Sequence, residues 1–433
     1  MTYQTLIVLL CVFVSPVLAQ DGGTDRSIER SVGGQRGQKA EAGGSPVFPA
    51  DAGVVSRKRE VLRRIPSVMD GERRPPNIVL IFVDDLGYAD TGLYGSDEIP
   101  TPHIDSLGKS GVRFTNAYVT AGSCSPSRAG LISGRYQQRF GFEFNTSGGG
   151  VTHREHRGLD PGAITIADVL KQAGYTTGIF GKWHLGTQPQ FHPNARGFDE
   201  FYGFLAGAHS FLPVTRPEQV FSTIMRGNEP IKEPQYLTDA IARETVGFID
   251  RNASKPFFAY VPFNAVHTPI EATKKYQDRF PDIDDAKRRD YYAMTSALDD
   301  AVGAILAALE RHQLADSTMV IFLNDNGGPI YTGVQSNGPL RLGKLFLFEG
   351  GIRVPMIVKW PGVTEGGQVF DGVTSSLDVF PTICEAAGIR IPQEMTLDGV
   401  SLIPHLSGVA EGPPHETLFW SSGPNQAVRH QNW

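Results

Sequence analysis

The chain has 433 residues, with 40 Lys and Arg against 46 Asp and Glu and a formal charge of −6. Its 40% apolar content excludes a disordered or fibrous chain, and a mildly acidic protein without basic runs is not built to bind nucleic acid. The length exceeds what one core usually serves, so a large domain with smaller extensions is expected; an anionic ligand would need a local cationic pocket, because the global field repels it.

The first apolar run, residues 6–14, is followed by Pro16 and Val17-Leu18-Ala19, the pattern of a secretory signal peptide (1–19) cut after Ala19. The run falls short of the roughly 20 apolar residues of a membrane span, so a secreted or periplasmic protein without stable membrane insertion is expected. Of the three cysteines, Cys11, Cys124 and Cys384, two remain after cleavage, too few for a disulfide framework. Residues 20–76, rich in Gly, Arg, Glu and Ser, read as a disordered leader with one short helix near 57–64.

From Asn77 onward, apolar runs at 78–83, 177–180, 257–263, 319–323 and 354–359 predict strands. Helix-period stretches at 164–173, 238–249 and 291–309 lie between several of them. Continuous apolar strands separated by helices predict an α/β fold with a mostly parallel sheet covered on both faces. Four predicted strands run into chemistry: Asp84-Asp85, then Gly181-Lys182-Trp183-His184, then Asn264 and His267, then Asn324-Asp325-Asn326-Gly327. Ligands of open α/β sheets bind outside the carboxyl ends of the strands, so two acidic and two basic clusters are expected at one edge. Asp84, Asp85, Asp325 and Asn326 offer only oxygen, which suits a hard cation, Ca²⁺ before Mg²⁺. Residues 123–131 read as a loop turning into a helix, with Ser125 as N-cap and Pro126 at the first helical position. Free N–H groups there, with Arg128 one turn in, would cradle a tetrahedral oxyanion beneath Cys124.

Cys124-Ser125-Pro126-Ser127-Arg128 fits a C-x-P-S-R signature and is followed by Leu131-Ile132-Ser133-Gly134-Arg135. With these residues the chain resembles the formylglycine-dependent sulfatases of the alkaline phosphatase superfamily, and among them the carbohydrate sulfatases. The resemblance extends through 77–87, Gly181 to Gly186, Asn264 to Pro269, Asn324 to Gly327, Asn337 to Arg341, Lys344 and Glu349 to Pro355, covering about 77–433. It implies a catalytic domain at 77–410, a large mixed sheet sandwiched by helices. Residues 411–433 would begin an incomplete, smaller antiparallel C-terminal domain.

The resemblance also implies roles. Asp84, Asp85, Asp325 and Asn326, with the modified Cys124, would hold one Ca²⁺. Cys124 would be oxidised to formylglycine by a maturation enzyme and its hydrate would supply the nucleophile. Arg128 and Lys182 would orient and neutralise that group and the sulfate, His184 would act in breakdown of the covalent intermediate, and His267 and Lys344 would contact sulfate and protonate the leaving oxygen. The implied reaction is hydrolysis of sulfate esters, on sulfated carbohydrates or aryl sulfates. A geminal diol makes physical sense of the oxidation: once one oxygen carries sulfate, deprotonating the other expels sulfate by C–O cleavage, and a histidine base suits that step near neutral pH. Two alternatives stand beside it: a phosphate or phosphonate ester hydrolase of the same superfamily, and a sulfated-glycan-binding protein with Cys124 unmodified. His192 reads as packing, His209 is open between packing and the substrate pocket, Glu349 and Arg353 as structural contacts, Asp378 as a helix cap and Cys384 as core. The stretch 343–348, Gly-Lys-Leu-Phe-Leu-Phe, is more apolar than the family pattern leads one to expect.

Overall fold

The computed structural model describes residues 52–69, 71, 74–146, 157–214 and 223–433. The expected signal peptide, 1–19, and residues 20–51 of the expected leader lie outside them. The strands are β1 (Asn77–Val83), β2 (Val112–Phe114), β3 (Ala117–Tyr118), β4 (Thr176–Lys182), β5 (Glu200–Phe204), β6 (Met225–Arg226) and β7 (Glu229–Pro230). After them come β8 (Phe257–Pro262), β9 (Thr318–Asn324), β10 (Met356–Lys359), β11 (Gln368–Phe370), β12 (Thr374–Ser375), β13 (Thr417–Ser422) and β14 (Asn425–His430). The helices are α1 (Ala52–Leu62), α2 (Pro102–Lys109), α3 (Cys124–Ser133), α4 (Ile166–Gln172) and α5 (Leu237–Asn252), then α6 (Lys274–Gln277), α7 (Ala286–Arg311), α8 (Glu349–Ile352), α9 (Val379–Ala386) and α10 (Ile403–Leu406).

Ten strands make one sheet in the order β11-β2-β10-β9-β1-β8-β4-β5-β6-β7. The five central strands, β9, β1, β8, β4 and β5, are parallel; β10 and β6 pair antiparallel toward the edges. β1 is buried along its whole length. Ile78, Leu80 and Phe82 enter one core, with residues of α3, α4 and α9, while Val79, Ile81 and Val83 enter the other, with α2, α5 and α7. An unbroken apolar run is therefore what period-two alternation demands when both faces are covered.

α7 starts where the Asp285 carboxylate accepts from the N–H groups of Lys287 and Arg288, satisfying two donors that have no partner within the helix. By length and composition it could cross a membrane, but 78% of its most apolar window is buried inside the fold, so it is a core helix. Order begins earlier than the expected boundary at Asn77. Within the stretch expected as leader, α1 docks through Lys58, whose Nζ lies 2.6 Å from Asp168 Oδ2, and Ile65 is buried behind it. The short helix expected near 57–64 is therefore part of the fold, and the polar composition hid only its docking, because the contact face is carried largely by a lysine stem rather than by apolar residues. At the other end, β13 and β14 form a small antiparallel hairpin. Leu418 and Trp420 bury against Tyr118, Ile352 and Val373, and Trp420 Nε1 donates to the Val119 carbonyl at 2.7 Å.

Candidate active site

The residues that follow β1, β4, β8 and β9 meet at one edge of the sheet. Main-chain bonds stitch these strand ends together: Asp84 N–H donates to Ala265 O at 3.0 Å, Val266 N–H to Asp84 O at 2.6 Å, and Asp325 N–H to Val83 O at 2.9 Å. Asp85 N–H donates to Asp325 Oδ1 at 3.4 Å. Asp85 and His184 adopt φ of 63° and 58°. Left-handed backbone costs a non-glycine residue about 1–2 kcal/mol and gathers where function over-determines geometry. Gly327, directly after Asn326, lies against the Gly350 carbonyl, where a Cβ would stand only 1.7 Å from that oxygen; no other residue fits there.

α3 opens at Cys124 itself, with Ser123 before it, which corrects the expected cap at Ser125. Ser125 is already helical: its Oγ donates to the His184 carbonyl and its N–H donates to Asn145 Oδ1 at 2.9 Å. Pro126 is third rather than first in the helix, still within the turn whose N–H groups lack helical partners. Arg128 does not face an open cradle either. It is fully buried, with Nη2 at 2.8 Å and Nε at 3.1 Å from Asp325 Oδ2, Nη2 at 3.5 Å from Asp84 Oδ2, and Nη1 donating to the Lys182 carbonyl at 3.1 Å.

Cys124 is 1% exposed, its Sγ 3.5 Å from Asp84 Oδ1. Burial, reinforced by the Asp325 charge, pushes the thiol well above its ordinary range, so as a cysteine it stays protonated and is a poor nucleophile. Lys182 pairs with Asp84, and Lys344 Nζ lies 2.8 Å from Asp85. His267 Nε2 stands 3.6 Å from Asp85 Oδ2, and its Nδ1 lies 2.5 Å from the Thr268 carbonyl. A carbonyl only accepts, so Nδ1 carries the proton and Nε2 faces the carboxylate. Three buried cations thus oppose three buried carboxylates. Burial alone would raise Asp84 and Asp85, but Lys182 beside the first and Lys344 beside the second hold both below the usual carboxylate range. Asp325 is raised, by burial and then by Asp84. Burial, followed by Lys182, Arg128, His267 and Lys344, holds His184 well below 6.5 and therefore neutral, and burial also lowers His267.

Metal-ligating atoms of Asp84, Asp85, Cys124 and His267 all lie within 4.8 Å of one another. Asn326 donates from Nδ2 to Asp85 Oδ1 at 2.8 Å, while its Oδ1 is buried without a partner among the described residues. An orphaned buried oxygen among carboxylates fits a cation, since it would otherwise carry an uncompensated desolvation cost. All ten residues picked out in the sequence as site candidates lie at this one edge. The placement of His267 among the possible ligands was not foreseen. Sequence reasoning also missed the weight of Asn264: it is 1% exposed and both amide atoms lack partners among the described residues. Its one signal was an asparagine at a strand end. Asn337 was missed as a staple, bonding Gly328 from both amide atoms at 2.8 and 2.9 Å and the Leu342 carbonyl at 3.0 Å, which fixes the loop carrying Lys344.

Other candidates fall outside the cluster. His192 packs edge-on to Phe201, with centroids 5.1 Å apart. His209 lines a separate cavity of about 460 Å³ near the end of β5, with Phe211, Ile224, Lys232 and Glu233. Arg353 pairs with Glu349 at 2.8 Å, Asp378 accepts the Ser375 N–H at 2.8 Å ahead of α9, and Cys384 is buried.

Residues 76–389 match the family model described as Sulfatase. Human N-acetylgalactosamine-6-sulfatase is 35% identical over 354 residues, covering 78% of this chain and 66% of that protein. Human steryl-sulfatase is 32% identical over 427 residues, covering 79% and 72%. A solved structure, Ps i-CgsB in complex with k-i-k-neocarrahexaose, is similar with a TM-score of 0.77 and 38% identity, covering 82% of each chain. The chain spans about two thirds of the length of the N-acetylgalactosamine-6-sulfatases it matches.

Proposed function

The chain belongs to the sulfatase family, and we propose that it hydrolyses sulfate esters of carbohydrates after export, with Cys124 converted to formylglycine and one Ca²⁺ beside it. The observation that carries this reading is the convergence of a buried, protonated thiol with three carboxylates and three cations from distant parts of the chain. Such a thiol cannot attack sulfur, whereas hydrated formylglycine supplies one hydroxyl to attack and a second through which sulfate is expelled, and a bound Ca²⁺ supplies Lewis-acid polarisation.

The ion would be held by Asp84, Asp85, Asp325 and Asn326 with the modified residue 124. Arg128 keeps Asp325 and the Lys182 carbonyl in register. Lys182 and Lys344 supply fixed positive charge in a dry site, where it is worth most to a developing oxyanion. His184, neutral and held through its carbonyl by Ser125, is the base that removes the proton at sulfate release. His267 contacts the sulfate, and the Lys344 ammonium delivers the proton to the leaving oxygen. A sugar leaving group is supported by relatives named for N-acetylgalactosamine 6-sulfate and by the oligosaccharide complex of Ps i-CgsB. The apolar run at 6–14 supports export, and a formylglycine-generating enzyme is the implied maturation partner.

The test is the mass of the tryptic peptide containing Cys124 in protein from its native source, with rates on matched sulfate and phosphate esters. An aldehyde mass and a sulfate preference are expected. An intact thiol leaves a glycan-binding protein, and a large phosphate preference makes the chain a phosphoesterase.

A further inference from the structure

The apolar stretch 343–348 does two things in the fold. Lys344 turns inward and is 4% exposed, whereas Leu345 turns outward at 61% and Phe346 at 41%. From the neighbouring loop, Ile330 and Tyr331 are 45% and 62% exposed. The two loops form one surface: Lys344 N–H donates to Gly328 O at 3.2 Å, and Ile330 Cγ2 stands 3.2 Å from where a Gly343 Cβ would be. This surface adjoins the loop of the nucleophile, since Leu345 N–H donates at 2.6 Å to the carbonyl of Gly122, two residues before Cys124. Tyr331 lies within the electrostatic reach of Lys344, Asp85, Cys124 and Asp84.

Leu342 and Leu345 hold φ of 61° and 76°. That backbone costs a branched aliphatic residue about 1–2 kcal/mol, and Leu345, 61% exposed, recovers little of it by burial. Exposed apolar side chains held at a backbone cost beside a reacting centre mark a binding surface. At its margin the Arg341 guanidinium stacks 4.7 Å from the Phe348 ring centroid, and among the described residues it has no carboxylate partner.

Resting on the sulfate-ester reading above, we propose that Ile330, Tyr331, Leu345 and Phe346 form a platform for the sugar ring adjoining the sulfated one, with Arg341 meeting an anionic group farther along. The substrate is then an extended sulfated oligosaccharide. A sugar ring packs its C–H face on aromatic and aliphatic groups while its hydroxyls stay in water, which suits an open rim. A sterol would need an enclosed apolar slot to bury its whole body. A free guanidinium suits a chain with further negative charge.

The experiment compares wild type with Tyr331→Ala/Leu345→Gly/Phe346→Ala, and with Val409→Ala at a remote, 80% exposed position as control. Substrates are 6-sulfated galactose and N-acetylgalactosamine, each as the monosaccharide and within a tetrasaccharide, and thermal melting checks that the triple variant is folded. The KM for the tetrasaccharide is expected to rise at least about tenfold more than that for the monosaccharide, with kcat moved less than about threefold. Arg341→Ala is expected to add a smaller, salt-sensitive rise on tetrasaccharides bearing a second sulfate. Equal rises on both substrate lengths, or a wild-type KM that does not fall with chain length, would overturn the platform. The underlying reading fails separately, if wild type releases sulfate from none of them. In that case calorimetric binding of the tetrasaccharides to Cys124→Ala decides, with and without the rim substitutions: a loss of about tenfold or more supports the platform and no loss refutes it.

Discussion

Two buried charge clusters in this protein use the same residue types to opposite ends. Behind α1, Lys58 sits 2.6 Å from Asp168, which also accepts from the Thr165 N–H and hydroxyl at 2.9 Å. Arg196 alongside donates to the carbonyls of Leu159, Asp160 and Ala163 at 3.0, 3.0 and 2.7 Å. Apart from Arg196 Nε, which is buried without a hydrogen-bond partner among the described residues, these groups are answered by nearby backbone, hydroxyl and carboxylate groups, and the cluster works as a fastener. At the strand edge, Asn326 Oδ1 and the whole Asn264 amide find no partner among the described residues, and Asp85 and His184 hold left-handed backbone. Open amide oxygens set among carboxylates, together with left-handed backbone, distinguish a cluster built to receive something.

The contrast breaks most sharply at position 124. Cys124→Ser, left unoxidised, offers one hydroxyl and no second, so it should accept a single sulfo group per chain and then stop, with steady-state turnover reduced by about 10⁴-fold or more. Intact-protein mass spectrometry after reaction shows the adduct; sustained turnover would falsify the diol scheme.

His184→Ala should slow release of sulfate by about 10²–10⁴-fold and release of alcohol much less. Rapid-quench measurement of both products checks this, and equal slowing would reassign the base. Because burial and the surrounding cations hold the His184 pKa well below 6.5, the acid limb of sulfate release in wild type should lie below pH 6.5. A limb at or above that value contradicts a buried, neutral imidazole.

Calcium supplied at about 100 times its Kd should raise unfolding stability by about 2.7 kcal/mol. The gain should shrink in Asn326→Ala and persist in Lys58→Met, as read by chemical denaturation with and without chelator. A calcium gain of equal size in both variants would erase the distinction between the two clusters.

Lys58→Met should have the smallest effect, leaving kcat/KM within about twofold, because Lys58 touches no site residue. Its signature is in pH. Burial, helped by Arg196, lowers the Lys58 pKa from 10.5 to about 8. Between those values the unfolded chain binds a proton that the folded chain does not, so wild-type stability gains a rising contribution as pH climbs from about 8 to 10.5. Subtracting the Lys58→Met curve isolates that rise, and parallel curves would show that the ammonium is not desolvated.

Much of this contrast could be read from residue order. β1 announced itself by an all-apolar run, and Asp84-Asp85, Lys182, His184, His267 and Asp325-Asn326 stood where strand-end residues of a parallel sheet meet. What could not be read depends on contacts between distant segments. Ser125 looked like a helix cap because serine before proline usually is, yet its hydroxyl is claimed by the His184 carbonyl. Arg128 looked free to hold an oxyanion, yet a fully buried guanidinium needs a carboxylate, and Asp325 provides it. A short helix near α1 was expected, but its docking was not, because its main anchor is a lysine whose partner lies 110 positions away. Asn264 was visible only as a strand-end asparagine, since an unsatisfied amide can be recognised only after everything around it has been placed.

The near-complete enclosure of Cys124 bears on the order of events in biogenesis. A sulfur with 1% exposure, set at the first residue of a helix and roofed by paired ions, is out of reach of any protein catalyst once the sheet has closed. If an enzyme edits this side chain, it must do so on a nascent or still extended polypeptide. On the formylglycine reading proposed above, molecules that fold before being edited would stay unmodified, and the active fraction of a preparation would record a race between two rates.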